Sequence, residues 1–248
     1  MSDTSWLTAR PVAHRGLHDA AKGVIENTLR AAEAAVAGGF AIEVDLQLSA
    51  DGEAMVFHDF TLDRLTEGSG AVAGADAAIL KTIPFRTTPD RIPTLADLLD
   101  TVGGKSALFL EVKSRFDGAP GLLKRMSAVL AGYAGPVAIM SFDPKVVDGA
   151  RDLIPDRPRG IVAEIFGNDP HWNDLTSVEK VQNTHLMHAW RTRPDFVAFN
   201  VKHLPSFAAM SWRALTGAPT LTWTVRGEDD RARATRWADQ MIFEGFVP

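Results

Sequence analysis

The chain contains no cysteine, which excludes disulfides, thiolate metal sites and a cysteine nucleophile. It also lacks a basic surplus. Its 26 Lys and Arg against 31 Asp and Glu leave a formal charge of -5, which argues against a nucleic-acid binder that depends on a broad positive surface. An anionic small molecule remains compatible, because a local Arg or Lys can oppose the overall sign. No run approaches the roughly 18 uninterrupted apolar residues that a bilayer span requires, so no stable membrane insertion is expected. The opening MSDTSWLTARP has no basic-then-apolar layout of a secretory signal, and a cytoplasmic protein is the expectation. No segment joins low hydrophobicity to high charge, the signature of disorder. No GxGxxG glycine fingerprint follows the first strand, which counts against a dinucleotide site.

What is present fits one large domain over residues 1–248, with 46% hydrophobic residues to build its core. The organising stretch is 42–59, IEVDLQLSADGEAMVFHD. Ile42, Val44, Leu46 and Leu48 alternate with Glu43, Asp45 and Gln47, the two-residue period of a strand whose faces meet different surroundings. Asp51-Gly52 signals a hairpin, and the chain returns through Met55-Val56-Phe57 to His58-Asp59. Alone, the pattern better describes a half-buried strand with its acids in water. Recurrence shifts the balance, because Val12-Ala13 leads into His14-Arg15-Gly16 and Ala107 to Leu110 leads into Glu111-Val112-Lys113.

The order along the chain alternates strand and helix. Asn27 or Thr28 caps an alanine-rich helix closed by Gly38-Gly39, and Phe40 opens the strand above. From Phe60 to about Pro93 glycines and prolines break the rhythm, which marks an insertion beside the site after the second strand. Helices are then expected over 94–104, 121–131, 144–153, 175–190, 206–216 and 229–238, with strands over 107–112, 137–141, 159–163, 196–200, 220–225 and 240–244. With the 42–59 hairpin counted once, the strand positions number eight, the pattern of a (β/α)8 TIM barrel with a small insertion. An open doubly wound sheet is the competitor.

In a barrel the chemistry gathers at the carboxyl ends of the strands. Glu43, Asp45 and Glu111 offer hard oxygen ligands and nothing soft, a trio suited to Mg2+ or Ca2+ rather than Zn2+. Without a cation they repel one another and raise at least one pKa. The competing reading is an ion-paired strand end neutralised by Arg15 and Lys113. His14 and His58 end strands beside the acids and can divide the proton transfers of a hydrolysis, while Arg15 and Lys113 can meet phosphoryl oxygens. Trp223, in the strand run LTWTV, can floor a small-molecule pocket. His185 and His188, one turn apart in the 175–190 helix, carry no surrounding zinc motif and are expected at the surface. Arg231, Arg233 and Arg236 read as a solvated outer helix face.

The motifs HRG at 14–16, ENT at 26–28, EVD at 43–45, HD at 58–59, IPTL at 92–95, EVK at 111–113 and TWTVR at 222–226 resemble, in order and spacing, the glycerophosphodiester phosphodiesterase family in its bacterial form. The resemblance implies a TIM barrel with a small insertion and metal-dependent hydrolysis of a glycerophosphodiester to glycerol 3-phosphate and an alcohol. It aligns His14 and His58 with the family's acid/base pair. Glu43, Asp45 and Glu111 match its metal ligands, Arg15 and Lys113 its phosphate contacts, and Trp223 a wall beside the glycerol. Two departures, Ile25 for the usual proline before Glu26 and Phe243-Glu244 for the usual Thr-Asp, are expected to leave the catalytic set untouched. Two alternatives stand beside this reading: a phospholipase-like barrel acting on lysophospholipids or inositol lipids, and a non-catalytic glycerol-phosphate binder. Head group, choice of cation, attack by water or by the neighbouring glycerol hydroxyl, and oligomeric state stay open at this level.

Overall fold

The computed structural model describes residues 4–248. Met1 to Asp3 of the expected 1–248 domain lie outside the described residues. The strands are β1 (Val12–Ala13), β2 (Ala41–Leu48), β3 (Ala54–Val56), β4 (Leu108–Val112), β5 (Val137–Ser141), β6 (Arg159–Ala163), β7 (Phe196–Asn200), β8 (Thr220–Val225) and β9 (Gln240–Phe243). Between them run α1 (Leu29–Gly38), the short α2 (Ala77–Leu80), α3 (Leu95–Val102), α4 (Pro120–Leu130), α5 (Pro144–Leu153), α6 (Ser177–Thr184), α7 (Ala189–Thr192), α8 (Phe207–Thr216) and α9 (Glu228–Trp237). Neighbours around the sheet are parallel in the order β1-β9-β8-β7-β6-β5-β4-β2, and β1 also pairs with β2. The ring is therefore closed, which removes the open doubly wound alternative and gives the (β/α)8 barrel.

Unequal strand lengths shape the mouth. β1 meets β2 only at Ala41 and Ile42, and the antiparallel β3 pairs with β2 further on, at Leu46 to Leu48. A strand of eight residues outlasts its two-residue neighbour. The hairpin satisfies the backbone groups left bare beyond it, and this return brings His58 to the carboxyl end of the barrel.

The alternation along β2 partitions as its spacing predicts. Ile42, Val44 and Leu46 join the core between barrel and helices, with Leu95, Leu98 and Leu99 of α3 among their neighbours. Thr28 caps α1, its hydroxyl accepting from the Ala31 N–H at 3.2 Å. Thr94 and Asp97 form a reciprocal capping box on α3. A second apolar group, including Leu7, Val12, Phe109, Phe196, Leu221 and Ile242, fills the barrel below the polar mouth. The insertion has its own small core of Leu62, Val72, Leu80, Phe85 and Ile92, packed on Met55 and Phe57. Ile25 sits in that cluster.

One expected helix is divided. Residues 175–190 form α6 and α7 with a break between, where Leu186 adopts a φ of +51° and turns into the core at 4% exposure. Burying an apolar side chain there takes precedence over helix continuity. His185 is exposed, but His188 is half-buried rather than on the surface, with Nδ1 3.2 Å from the Thr192 hydroxyl. On α9 Arg231 and Arg236 face solvent, while Arg233 reaches back to the Val201 carbonyl at 3.4 Å. Among the described residues no helix is long and apolar enough to cross a membrane.

Candidate active site

The polar face of β2 and the end of β4 meet inside the mouth. Asp45 lies in register with Glu111, and Glu43 lies two positions below, opposite Phe109. Glu43, Asp45 and Glu111 are 1%, 1% and 7% exposed, and one oxygen from each falls within 4.8 Å of the others. This is not a strand with its acids in water.

Two cations neutralise part of the cluster. Lys113 Nζ lies 2.8 Å from Asp45 Oδ1 and 2.6 Å from Glu111 Oε1, and Arg15 Nε stands 3.4 Å from Asp45 Oδ2. Burial alone would raise the Asp45 carboxyl, yet Lys113, His58 and Arg15 together hold it far below the usual carboxylate range. Burial would likewise discharge Lys113, and Asp45 and Glu111 keep it firmly cationic. Glu43 is left over. Burial first, then Asp45 and Glu111, push its carboxyl well above the ordinary value, and its Oε1 is buried with no hydrogen-bond partner. An unsatisfied oxygen in an all-carboxylate donor set is what a hard divalent cation would satisfy. The ion-paired reading therefore accounts for Asp45 and Glu111 but not for Glu43.

The loop after β1 is shaped to serve this cluster. Arg15 has a φ of +56° and Gly16 one of +80°, and a Cβ on Gly16 would fall 2.7 Å from that of Ala31. Only glycine lets the turn pass so close to α1. The turn presents the Arg15 N–H to Glu43 Oε2 at 2.8 Å and the Gly16 N–H to the Glu43 carbonyl at 3.1 Å.

Both imidazoles face the cleft with a carboxylate behind them. His14 Nδ1–H donates to Glu244 Oε2 at 2.5 Å, and Glu244 Oε1 accepts from Arg226 Nε at 2.6 Å. His58 Nδ1–H donates to Asp59 Oδ1 at 2.7 Å, and Asp59 Oδ2 accepts from Arg64 Nε at 2.5 Å. Those partners fix the tautomers and leave each Nε2 free toward the site. His14 Nε2 is 3.9 Å from Glu43 Oε2. Burial lowers the His14 pKa below that of a free imidazole even against the pull of Glu244.

Several residues in this network go beyond the motif reading. Glu244, expected to lie apart from the catalytic set, is the direct partner of His14. Its carboxyl would be raised by burial, but His14, His18 and Arg226 hold it low. Asn27, considered only as a helix cap, pairs two ways with Asp45: Nδ2 donates to Oδ2 at 2.8 Å, and Oδ1 accepts from the Asp45 N–H at 3.1 Å. Glu26 accepts from Arg15 at 2.6 Å and from Arg64 at 2.7 Å. Gln47 Nε2 donates to the carbonyls of Phe57 and Asp59, at 2.9 and 2.5 Å, gripping the backbone on both sides of His58. The available signal was the β2 alternation itself, which places Gln47 on the face of Glu43 and Asp45.

The acidic triad, the two histidines, Arg15, Lys113 and Arg226 line a cleft of about 320 Å3 together with Phe142, Glu164, Trp172, Asn200 and Trp223. Every sequence-derived candidate is there: His14, Arg15, Glu43, Asp45, His58, Glu111, Lys113 and Trp223. Trp223 Nε1–H donates to the Ala198 carbonyl at 2.9 Å, which sets its ring on the wall.

Fold and site define the class: a (β/α)8-barrel hydrolase whose centre can take a metal ion. The sequence pattern of the glycerophosphoryl diester phosphodiesterase family matches residues 14–247, and the chain belongs to that family. A glycerophosphodiester phosphodiesterase from Caldanaerobacter subterraneus subsp. tengcongensis is 31% identical over 232 residues, covering 90% of this chain and 88% of the relative. One from Bacillus subtilis is 27% identical, covering 95% and 83%. Among solved structures, an Oleispira antarctica phosphodiesterase in complex with the product sn-glycerol-3-phosphate superposes with a TM-score of 0.77 at 21% identity, covering 94% of this chain and 91% of that one.

Proposed function

We propose that this chain is a single catalytic domain, with the 60–93 insertion packed behind His58, that hydrolyses glycerophosphodiesters to sn-glycerol 3-phosphate and the free alcohol. One divalent cation, Mg2+ or Ca2+, would be held by Glu43, Asp45 and Glu111. The observation that carries the reading is the unpartnered Glu43 oxygen within a buried acidic triad, set between two carboxylate-backed imidazoles. When bound, the cation supplies positive charge to a phosphoryl oxygen.

The protein's own groups do the rest. Arg15 and Lys113 face the phosphate, and both are held in place by carboxylates before substrate arrives. His14, neutral because it is buried, takes a proton at Nε2 from the attacking oxygen, whether that of the neighbouring glycerol hydroxyl or of water. His58, in the form that carries a second proton at Nε2 beside its Asp59-bound Nδ1–H, gives that proton to the departing alcohol oxygen. Trp223 supplies an apolar wall beside the glycerol.

A panel of glycerophosphodiesters and a lysophospholipid, read by glycerol 3-phosphate release with and without chelator, tests this. Diesters should release it, chelation should stop it, and added Mg2+ or Ca2+ should restore it. Release that persists in chelator overturns the cation assignment, and silence toward every diester overturns the activity.

A further inference from the structure

Away from the acidic triad the cleft changes character. Phe142 lies 5.0 Å from Trp172 and 5.3 Å from Trp223, centroid to centroid, and all three line the cavity. Phe166 backs Trp172 at 4.7 Å. At this wall stands Glu164, the residue after β6. Both of its oxygens are fixed by neutral donors: Trp172 Nε1–H donates to Oε1 at 2.7 Å, and Asn200 Nδ2–H donates to Oε2 at 2.7 Å. Among the described residues no Lys, Arg or His forms an ion pair with it. The two cations on this part of the rim are engaged elsewhere, Lys202 with Asp230 at 2.6 Å and Arg226 with Glu244 at 2.6 Å. Glu164 is thus a fixed negative charge beside aromatic faces, with no counter-charge from the protein.

Such a wall prefers one kind of cation. A primary ammonium brings three N–H donors, whereas Glu164, with one bond already accepted at each oxygen, keeps one acceptor site per oxygen, and the third donor would meet ring faces that accept only weakly. A quaternary ammonium brings charge with no donor to satisfy, and its methyl groups lie against ring faces that attract cations. Resting on the phosphodiesterase reading above, we infer that the Phe142, Trp172 and Glu164 wall takes the alcohol arm of the substrate and selects alcohols bearing a quaternary ammonium group. Glu164 is the specificity-determining residue. Trp223, across Phe142 from Trp172, stays with the glycerol.

The test compares three diesters that share the glycerol phosphate and differ in the alcohol: glycerophosphocholine, glycerophosphoethanolamine and glycerophosphoglycerol. The expected kcat/KM is greatest for glycerophosphocholine, by about tenfold. Glu164→Gln should remove about tenfold from that substrate and change glycerophosphoglycerol by less than about twofold. Equal losses on both would place Glu164 on the shared glycerol and overturn the inference. A measurement on the unaltered protein guards against a variant that fails to fold. Choline should inhibit competitively at concentrations about tenfold below its uncharged isostere 3,3-dimethylbutanol, and equal inhibition by the two overturns the inference. Equal turnover of all three diesters fells the head-group assignment alone, whereas no turnover of any fells the proposed activity and this inference with it.

Discussion

His14 and His58 stand on two sides of one cleft and are supported alike, an imidazole N–H on a carboxylate and the carboxylate on an arginine. The supports differ in reach. His58 leans on the next residue, Asp59, whose arginine comes from the insertion five residues on. His14 leans on Glu244, 230 residues away at the end of the last strand. One support is local and forms with a single loop. The other exists only when β9 closes against β1 and the barrel is complete. Half of the proton-transfer apparatus thus depends on local chain geometry and half on ring closure.

The largest effects should come from removing the imidazoles. His14→Ala and His58→Ala should each lower kcat by about 10^2 to 10^4-fold, with melting temperatures close to that of the parent. Turnover unchanged in both would remove them from the reaction. Next comes the metal cluster, whose sign can be worked out. Glu43→Gln removes one of three mutually repelling buried charges, so in chelator the variant should melt higher than the parent. It should also gain less from added Mg2+ or Ca2+, because a ligand is lost. A lower melting point in chelator would mean that Glu43 is satisfied in a way its unpartnered oxygen does not suggest.

The supports themselves then separate the two sides. Glu244→Gln removes a carboxylate that stabilises the His14 imidazolium. The His14 pKa should fall further, and the acid limb of kcat/KM should move to lower pH while the rate drops. A limb that stays in place would mean that Glu244 only orients the ring. The arginines should differ in the same experiment. Arg64 holds Asp59 and Glu26 together, and Glu26 in turn holds Arg15, whereas Arg226 meets only Glu244 among the site carboxylates. Arg64→Ala should therefore cost about 10 to 100-fold in kcat/KM and Arg226→Ala only a few-fold.

The same contrast explains what was legible in the sequence. The barrel was readable because its alternation is local: strands β5, β6, β7 and β8 fall on the expected residues, since period and turn residues lie within short windows. The triad, the two histidines and their cations were readable because His14, Arg15, His58, Glu111 and Lys113 fall at or just past strand ends, while Glu43 and Asp45 share the polar face of β2 beyond the end of its short neighbour β1. The Glu244 contact was not, because barrel closure sets β9 beside β1 but nothing near residue 244 records that its side chain turns to His14. The Asn27 contact was hidden by a second role, since an Asn before a helix reads as a cap while Thr28 does the capping. The α6–α7 break was missed because a mostly polar run at helical spacing carries no mark of the one buried Leu186.

The smallest effect supplies a control on the two supports, because His188 is an imidazole kept from water without a carboxylate. Its Nε2 is buried without a partner, and burial, helped by Arg191, brings its pKa down to about 4. The folded protein therefore holds it neutral at pH values where the unfolded chain takes up a proton. Stability attached to this residue is complete above the unfolded value near 6.5. It is lost progressively as pH falls toward 4, below which the penalty stays constant. Between pH 7 and pH 4.5 the loss should be about 2–3 kcal/mol, or roughly 6–9 °C in melting temperature for a chain of this length. His188→Gln should shrink the difference between pH 7 and pH 4.5 by that amount and leave activity at pH 7 unchanged. If the variant followed the parent curve, burial alone would not suppress an imidazole's charge in this protein, and the low pKa assigned to His14 despite Glu244 would lose its physical basis.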